Sequence, residues 1–518
     1  MTTPIKAASA ACLLALITAA AAHAQTRPLR VQINADIRST DPGTNRDDNT
    51  DAVLMHIGEG LVAMREDTTP GPLLASKVDI STDGLTYTFT LRERVRFHND
   101  APLTAQDVIW SWKRYLDPAT NWRCLPEFDG RGITKLLSVD APDAKTVVFK
   151  LSKPSSLMLV TMSRPDCGGS AILHSSSVGP DGKWVAPIGT GPFKLKEWRR
   201  AQYIDLLRFD GYASRDGERD GFTGGKKAEV GAIRYMIIPD AAAAKAALYS
   251  GAIDVLATAA GADVAEIRAR SDVKVEVSDS MNMFGLLFQT TDPVLKDVRI
   301  RRALALSLDD AEIARAVTEG LSKANNSAIP TASPYYSAVQ ASGFKRDLVQ
   351  ARKLLADAGY KGEPIKLLAN KRYEASFNSA VMVQSMAAEA GFRIELEVLD
   401  WATQLDRYTR GQYQAMTFPY SARLDPALNF EMLSGPKATQ PRKVWDNPDM
   451  APQLAEAMLV SDKAKRQALF DELHRKFIED VPMVVLFNGT DGAGLRKNVM
   501  GYRTWAADKP RFWNVSLR

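Results

Sequence analysis

The sequence predicts an α/β protein of at least two domains, and three observations carry that reading. First, residues 230–239 form a β-branched apolar run, Asp240 stands where a helix cap belongs, Gly251 closes the stretch 241–250, and Ile253-Asp254-Val255 returns to strand character. Strand, helix, strand is the crossover unit of parallel sheets. Second, Leu85, Tyr87, Phe89 and Leu91 alternate with Thr86, Thr88 and Thr90, the period of a half-buried strand. Third, 518 residues exceed what one hydrophobic core organises.

Taken in order, residues 29–35 alternate as an opening strand, which Ser39-Thr40-Asp41-Pro42-Gly43 breaks into a loop. After the Thr-rich strand, Thr104 is placed to cap a helix with Asp107 reaching back, and Val108, Ile109 and Trp110 follow as a buried face. Phe193, Leu195 and Trp198, then Ile204, Leu206 and Phe209, outline two strands around a polar turn. The Gly-Thr-Gly-Pro at 189–192 is not a phosphate loop, because no Lys-Ser/Thr follows and a proline has no amide to donate. Residues 284–288 read as an apolar strand. Asp297 starts a helix with Ile300, Ala303, Leu304, Ser307 and Leu308 on one face, which leaves Arg299, Arg301 and Arg302 as a solvated flank. A further helix runs over 347–358 and ends at Gly359.

Residues 1–24 carry one early charge, Lys6, an apolar run from 7 to 22, and Ala22-His23-Ala24 before Gln25, the pattern of a cleavable secretory signal. Cys12 does not make a lipoprotein site, since the apolar core follows it. The periplasm is therefore the expected compartment. The formal charge of +5 is small for this length, and no basic run of five or more exists, so nucleic acid is not an expected partner. In an oxidising compartment the two remaining cysteines, Cys124 and Cys167, favour a disulfide, with two separate buried thiols as the alternative.

Chemistry is thin in this chain. It has no Gly-x-Ser-x-Gly, and His56, His98, His174 and His474 show no metal-binding spacing with one another or with cysteine. No catalytic residue, metal site or cofactor is assigned. His98 is expected to make a structural hydrogen bond.

The wording of several stretches goes further than their physics. DGLTYTFTLR, VRFHND and PLTAQDV, then VGAIRYMIIPDAAAAKAALYSGAIDVL, LLFQTTDPVLKDVRIRRALALSLD, RDLVQARKLLADAGY and IEDVPMVVLFN, resemble in order the blocks of the family 5 extracellular solute-binding proteins that serve dipeptide, oligopeptide and nickel ABC importers. The resemblance spans nearly the whole mature chain. It implies the two-lobed periplasmic binding protein fold (type II, cluster C), with domain I at 25–281 plus 489–518, an extra subdomain near 70–187, and domain II at 282–488. It implies a non-enzymatic monomer that closes on a solute and hands it to membrane permease and ATPase subunits. A metal-chelate receptor is the first alternative, and a secreted hydrolase or chaperone-like binder the second.

Peptide-binding members pair the ligand amine with an aspartate four residues before a proline. Here that position, counted from Pro426, is Ala422, with Arg423 beside it. Asp425 is the substitute acid, or else a cap for the next helix. The resemblance also points to Arg372 as receiver of a carboxylate, a task that suits a guanidinium fork. Trp401 and Tyr420 are expected at strand ends where ligand-facing groups gather, and Trp445 is a further aromatic candidate. Ser39 and Thr40 are cleft neighbours by resemblance. Two arginines and no amine anchor favour a peptide or peptide-like solute of anionic or blocked character.

Overall fold

In the computed structural model the described residues are 27–44, 47–132, 134–259 and 261–518; the expected signal at 1–24 lies outside them. A ten-stranded sheet runs through the molecule. Its strands in chain order are β1 (Leu29–Ile33), β2 (Phe193–Arg199), β3 (Tyr203–Arg208), β4 (Ala232–Ile237), β5 (Val255–Leu256), β6 (Val273–Phe288), β7 (Ile365–Ala369), β8 (Ile394–Val398), β9 (Ala415–Tyr420) and β10 (Met483–Arg496). They lie side by side as β8-β7-β9-β6-β10-β5-β1-β4-β3-β2.

The crossover unit forms as its caps dictate. The Asp240 side chain accepts from the Ala243 amide at 2.7 Å, the helix Ala241–Ser250 follows, and Gly251 stops it at φ 76°. The strands on either side of that helix, β4 and β5, flank β1 and run parallel to it. Helix Leu348–Ala358 likewise starts on Asp347 and ends at Gly359 in the left-handed region.

Two features exceed the sequence reading. The strand expected at 284–288 is the end of a 16-residue strand, β6, whose first half carries Glu276, Ser278 and Asp279. That polar half hid the strand from an apolar count. It pairs antiparallel with β10 over 273–279 against 490–496. After a register shift, 283–287 pair with 483–488. Arg301 is the second correction: it is no solvated flank. It is 6 % exposed, and its guanidinium donates to the carbonyls of Leu295, Lys296, Asp480 and Val481, which ties the helix Val298–Ser307 to the turn before β10.

Apolar cores divide along the ribbon of β6 and β10. One set packs β1–β5 around Val31, Phe193, Ile233, Tyr235 and Phe512. Two others pack the faces of β7, β9 and the early part of β10, around Leu367 and Val383 on one side and Phe418, Phe430 and Phe477 on the other. A separate four-stranded antiparallel sheet (75–80, 86–91, 146–151, 136–140) covers a core of Trp112, Trp122, Phe89, Phe128 and Phe149. Its helix Ala105–Leu116 carries the expected capping box, with Asp107 accepting from the Thr104 amide at 2.8 Å.

The Gly-Thr-Gly segment serves packing. A Cβ on Gly189 would stand 2.2 Å from the Ile57 carbonyl oxygen, and one on Gly191 2.5 Å from that of His56. His98 makes the expected structural bond, through Nε2 to the Gly191 carbonyl at 3.0 Å. Beside this segment a wholly buried ion pair, Lys226 to Glu59 at 2.8 Å, takes further donors from Tyr212 and Thr190.

Cys124 and Cys167 are bonded, closing a loop across a sequence separation of 43 residues. By loop-closure entropy this constrains the unfolded chain by about 4 kcal/mol. The variant Cys124→Ser/Cys167→Ser is expected to lose stability of that order in denaturant titration; an unchanged midpoint would show that the bridge constrains nothing.

Candidate ligand-binding cleft

The parallel strands β7 and β8 and their neighbour β9 end on one edge of the sheet, the edge at which β6 and β10 pass from one set of cores to the other. Open α/β sheets bind ligands outside such carboxyl ends. Arg372, Trp401, Tyr420 and Arg423 all fall on this edge or within three residues of it.

After β7, Asn370 holds the turn: its Oδ1 accepts from the Tyr373 amide at 3.2 Å and its Nδ2 donates to Gln404 at 2.6 Å. Gln404 in turn donates to the Thr417 carbonyl at 2.8 Å. That chain fixes a turn whose Lys371 and Arg372 side chains are exposed. Trp401 opens the helix Trp401–Arg410, which Asp400 caps. Its half-buried ring stands edge-on to Tyr373 at 4.8 Å and tilted on Phe418 at 5.3 Å.

After β9, Arg423 is half-buried and folds back on its own loop, donating to the carbonyls of Ala422 at 3.1 Å and Ser421 at 3.4 Å. Leu424 reaches across to the cluster of Met55, Phe222, Trp505 and Trp513 beside β1–β5. The Ala422 amide donates to Asn282 Oδ1 at 2.8 Å.

Asp425, read as a substitute acid or a helix cap, takes the capping place. It is 3 % exposed, caps the helix Pro426–Leu433 through the Ala427 amide, and binds the Arg466 guanidinium with both oxygens at 2.7 and 3.0 Å. Tyr420 turns inward. Its ring is buried against Phe418, and its hydroxyl donates to that of Tyr408 at 3.3 Å. Trp445 is buried too and donates to Asp480. On the other side, the Thr40 hydroxyl accepts from Trp184 Nε1 at 2.9 Å, and Ser39 Oγ accepts from the Asp41 amide. Asp41 pairs with Arg114, which lies over the Trp184 ring.

Sequence reasoning missed the acids at the crossing. Asp491 on β10 and Asp508 face each other, with Asn282 beside Asp508. Burial, and then the facing Asp508 carboxyl, raise Asp491 above the ordinary range. Asp508 remains exposed, while Lys509 beside it pairs with Asp48 at 2.9 Å. Behind them Asp51 is buried and pushed up to about 8, chiefly by desolvation. No periodicity marks these residues; only the long-range pairing of β6 with β10 brings them together. Among the described residues no group of three or more His, Cys, Asp or Glu could hold a metal, and no helix is long and apolar enough to cross a membrane.

Fold and edge define a hinged receptor, a two-lobed binding protein whose cleft lies between halves joined by a strand ribbon. The chain belongs to the bacterial extracellular solute-binding proteins, family 5, whose middle-region model matches residues 69–440. It is similar to the dipeptide-binding protein of Escherichia coli, 26 % identical over 86 % of each chain. It is also similar to the oligopeptide-binding protein OppA of Bacillus subtilis, 24 % identical over 91 % of this chain and 89 % of that one. Among solved structures, HbpA2 from Haemophilus parasuis superposes with a TM-score of 0.81 at 24 % identity over 95 % of this chain and all of that one. DppA from Helicobacter pylori, solved with the peptide STSA, gives 0.72 at 23 % identity over 96 % and 99 %. These neighbours share the two-lobed periplasmic binding protein fold.

Two predictions follow from the geometry. Asp425→Ala leaves Arg466 buried without its partner, so stability is expected to fall by roughly 3–5 kcal/mol in chemical unfolding; a loss confined to ligand affinity would restore Asp425 to the cleft. For Asp51 the folded chain keeps a proton that the unfolded chain releases above its ordinary value of 3.8, so its contribution is full below that value and is lost as pH rises toward 8. Asp51→Asn is therefore expected to gain on the parent by about 1.4 kcal/mol per pH unit between about pH 5 and 7. A difference in stability that stays flat with pH would contradict this.

Proposed function

We propose that this chain is a periplasmic receptor of an ABC importer that captures a short peptide or peptide-like solute, anionic where it faces Arg372 and Arg423, and releases it chemically intact. The halves are 25–281 plus 489–518 and 282–488, with the four-stranded sheet near 70–187 widening the first. They close about the crossing at Asp279–Met283 and Asn488–Thr490. A solute drives closure only by binding better to the shut form. The protein is exported by removal of residues 1–24, acts without catalysis or cofactor, and presents its cargo as a monomer to permease and ATPase subunits at the inner membrane.

The observation that supports this reading best is the shared edge. Arg372, Trp401 and Arg423 each stand three residues past the end of one of three neighbouring strands, β7, β8 and β9. The names of the peptide-binding relatives add the solute class.

The test is to isolate the protein from its native periplasm, denature it, and identify what is released by mass spectrometry. A peptide or peptide-like acid is expected, and adding it back is expected to contract the scattering profile. Arg372→Ala and Arg423→Ala are each expected to weaken its binding by about tenfold or more if they are desolvated charge partners. Release of nothing, or a profile indifferent to the cargo, refutes the receptor reading. A metal chelate in place of a peptide refutes the solute class alone.

A further inference from the structure

The helix Ala451–Leu459 belongs to the second half and stops at Val460, whose amide returns to the Glu456 carbonyl at 2.9 Å. Among the described residues no backbone amide that follows this helix bonds the carbonyls of Ala457 or Met458, the ordinary condition of a last turn. Both are taken by Ser156, 301 positions before Ala457. Its hydroxyl donates to Ala457 at 3.1 Å and to Met458 at 2.8 Å, and its amide donates to Met458 at 2.9 Å. A serine of the first half thus caps a helix of the second, where a residue of the same half ordinarily serves.

Each side of this contact is held within its own half. Ser155, 3 % exposed, offers its carbonyl to the Tyr87 hydroxyl at 2.9 Å and its own hydroxyl oxygen to the Leu157 amide at 3.3 Å. Tyr87 and Met158 belong to the core beneath the four-stranded sheet, so the turn that carries Ser156 moves with that sheet. Opposite it, the Ala457 carbonyl also accepts from Arg466 Nε at 2.9 Å, and the other two nitrogens of Arg466 hold Asp425. Asp425 ends the loop 421–425 that carries Arg423 and Leu424. The helix end that meets Ser156 and the loop at the cleft edge are therefore tied to one buried guanidinium.

We propose that Ser156 is a closure latch, a positioning residue that caps the helix Ala451–Leu459 only when the halves are shut and so sets how tightly any solute is held. The inference rests on the two-half closure proposed above and goes beyond it. The amide and hydroxyl protons of Ser156 are both committed to carbonyls, which leaves none for a solute. On opening, those carbonyls return to water, so each bond contributes only the small net difference between protein and water partners. That difference enters every affinity, because a solute that binds the shut form binds in proportion to the fraction of the chain that is shut. A weakened latch lowers all affinities by one common factor and leaves their ranking alone. A residue that touched the solute would change the ranking.

Ser156→Ala removes the hydroxyl and keeps the amide bond. Ser156→Asp sets a negative charge against the negative end of the helix dipole. A panel of dipeptides is titrated by calorimetry against the parent and both variants, the unfolding midpoint of each ligand-free chain is measured, and the chains as isolated from the periplasm are compared by small-angle scattering. Ser156→Ala is expected to weaken every dipeptide that binds by about threefold to tenfold, with the ranking and the midpoint unchanged. Ser156→Asp is expected to weaken them further and to raise the radius of gyration. Affinities equal to the parent's in both variants overturn the latch while the receptor reading stands. So does a changed ranking, which puts Ser156 against the solute, or a lowered midpoint in ligand-free Ser156→Ala, which makes it a support of one half. Should Ser156→Asp fail to fold, Ser156→Ala carries the comparison. If no dipeptide binds, the solute class fails and scattering decides alone: a larger radius in the variants than in the parent supports the latch, and equal radii overturn it.

Discussion

Everything in this molecule hangs on one antiparallel pair. β6 and β10 are 16 and 14 residues long, far beyond the usual strand, and each belongs to two half-sheets at once. The first half of β6 and the second half of β10 extend the sheet toward β5 and β1; their other halves extend it toward β9 and β7. Two separately folded cores thus share one hydrogen-bonded ladder. The ladder shifts register twice within a few residues, between the pairs Asp279–Thr490 and Met283–Asn488 and again between Phe284–Phe487 and Gly285–Val485. An interrupted ladder bends more readily than a continuous one, so relative motion of the halves concentrates there.

For that motion to be a hinge, the halves must be stiffer than the crossing. Buried charge supplies part of the stiffness. Lys226 with Glu59 on one side, and Arg466 with Asp425 on the other, are enclosed pairs whose partners cannot leave without stranding a charge out of water. Arg301 does the same work through neutral acceptors, gathering four carbonyls at the foot of β10. Contacts between the halves are of a different kind. Ser156 bonds the carbonyls of Ala457 and Met458, and Leu424 rests on an apolar cluster. Such contacts break at modest cost, as an opening cleft requires.

Local chemistry made much of this legible in advance. Asp240 and Gly251, Thr104 and Asp107, Asp347 and Gly359 each bracket a helix with atoms that satisfy its terminal groups, and the alternation at 85–91 buries Tyr87, Phe89 and Leu91 while Thr86, Thr88 and Thr90 stay half-exposed. What failed were cases where tertiary context outvotes the local pattern. Arg301 reads as surface because an arginine on a helix flank usually is, yet carbonyls some 180 residues later in the chain enclose it. Asp425 was open to two readings, cap or ligand acid, and its burial against Arg466 decides for the cap. Tyr420 ends a strand at the cleft edge, but the alternation of β9 turns its ring inward with Phe418. The buried carboxyls at the crossing had no local signature at all.

Those carboxyls bear on the absent acid at Ala422. Asn282 takes the Ala422 amide on its oxygen and lies beside Asp508, which faces Asp491. A carboxylate added at 422 would crowd Asp508 and Asp491, the latter already raised by burial and by its neighbour. Negative charge at this junction therefore comes from the first half, across the gap, and from residues on the crossing itself. Lys371 and Arg372 follow β7, which lies two strands from β6 in the sheet, a spacing of roughly 10 Å. The cations after β7 and the acids Asp491 and Asp508 thus stand apart across the ribbon, and a solute of mixed charge that drew both together would bind the shut form better, which is the differential affinity that closure needs.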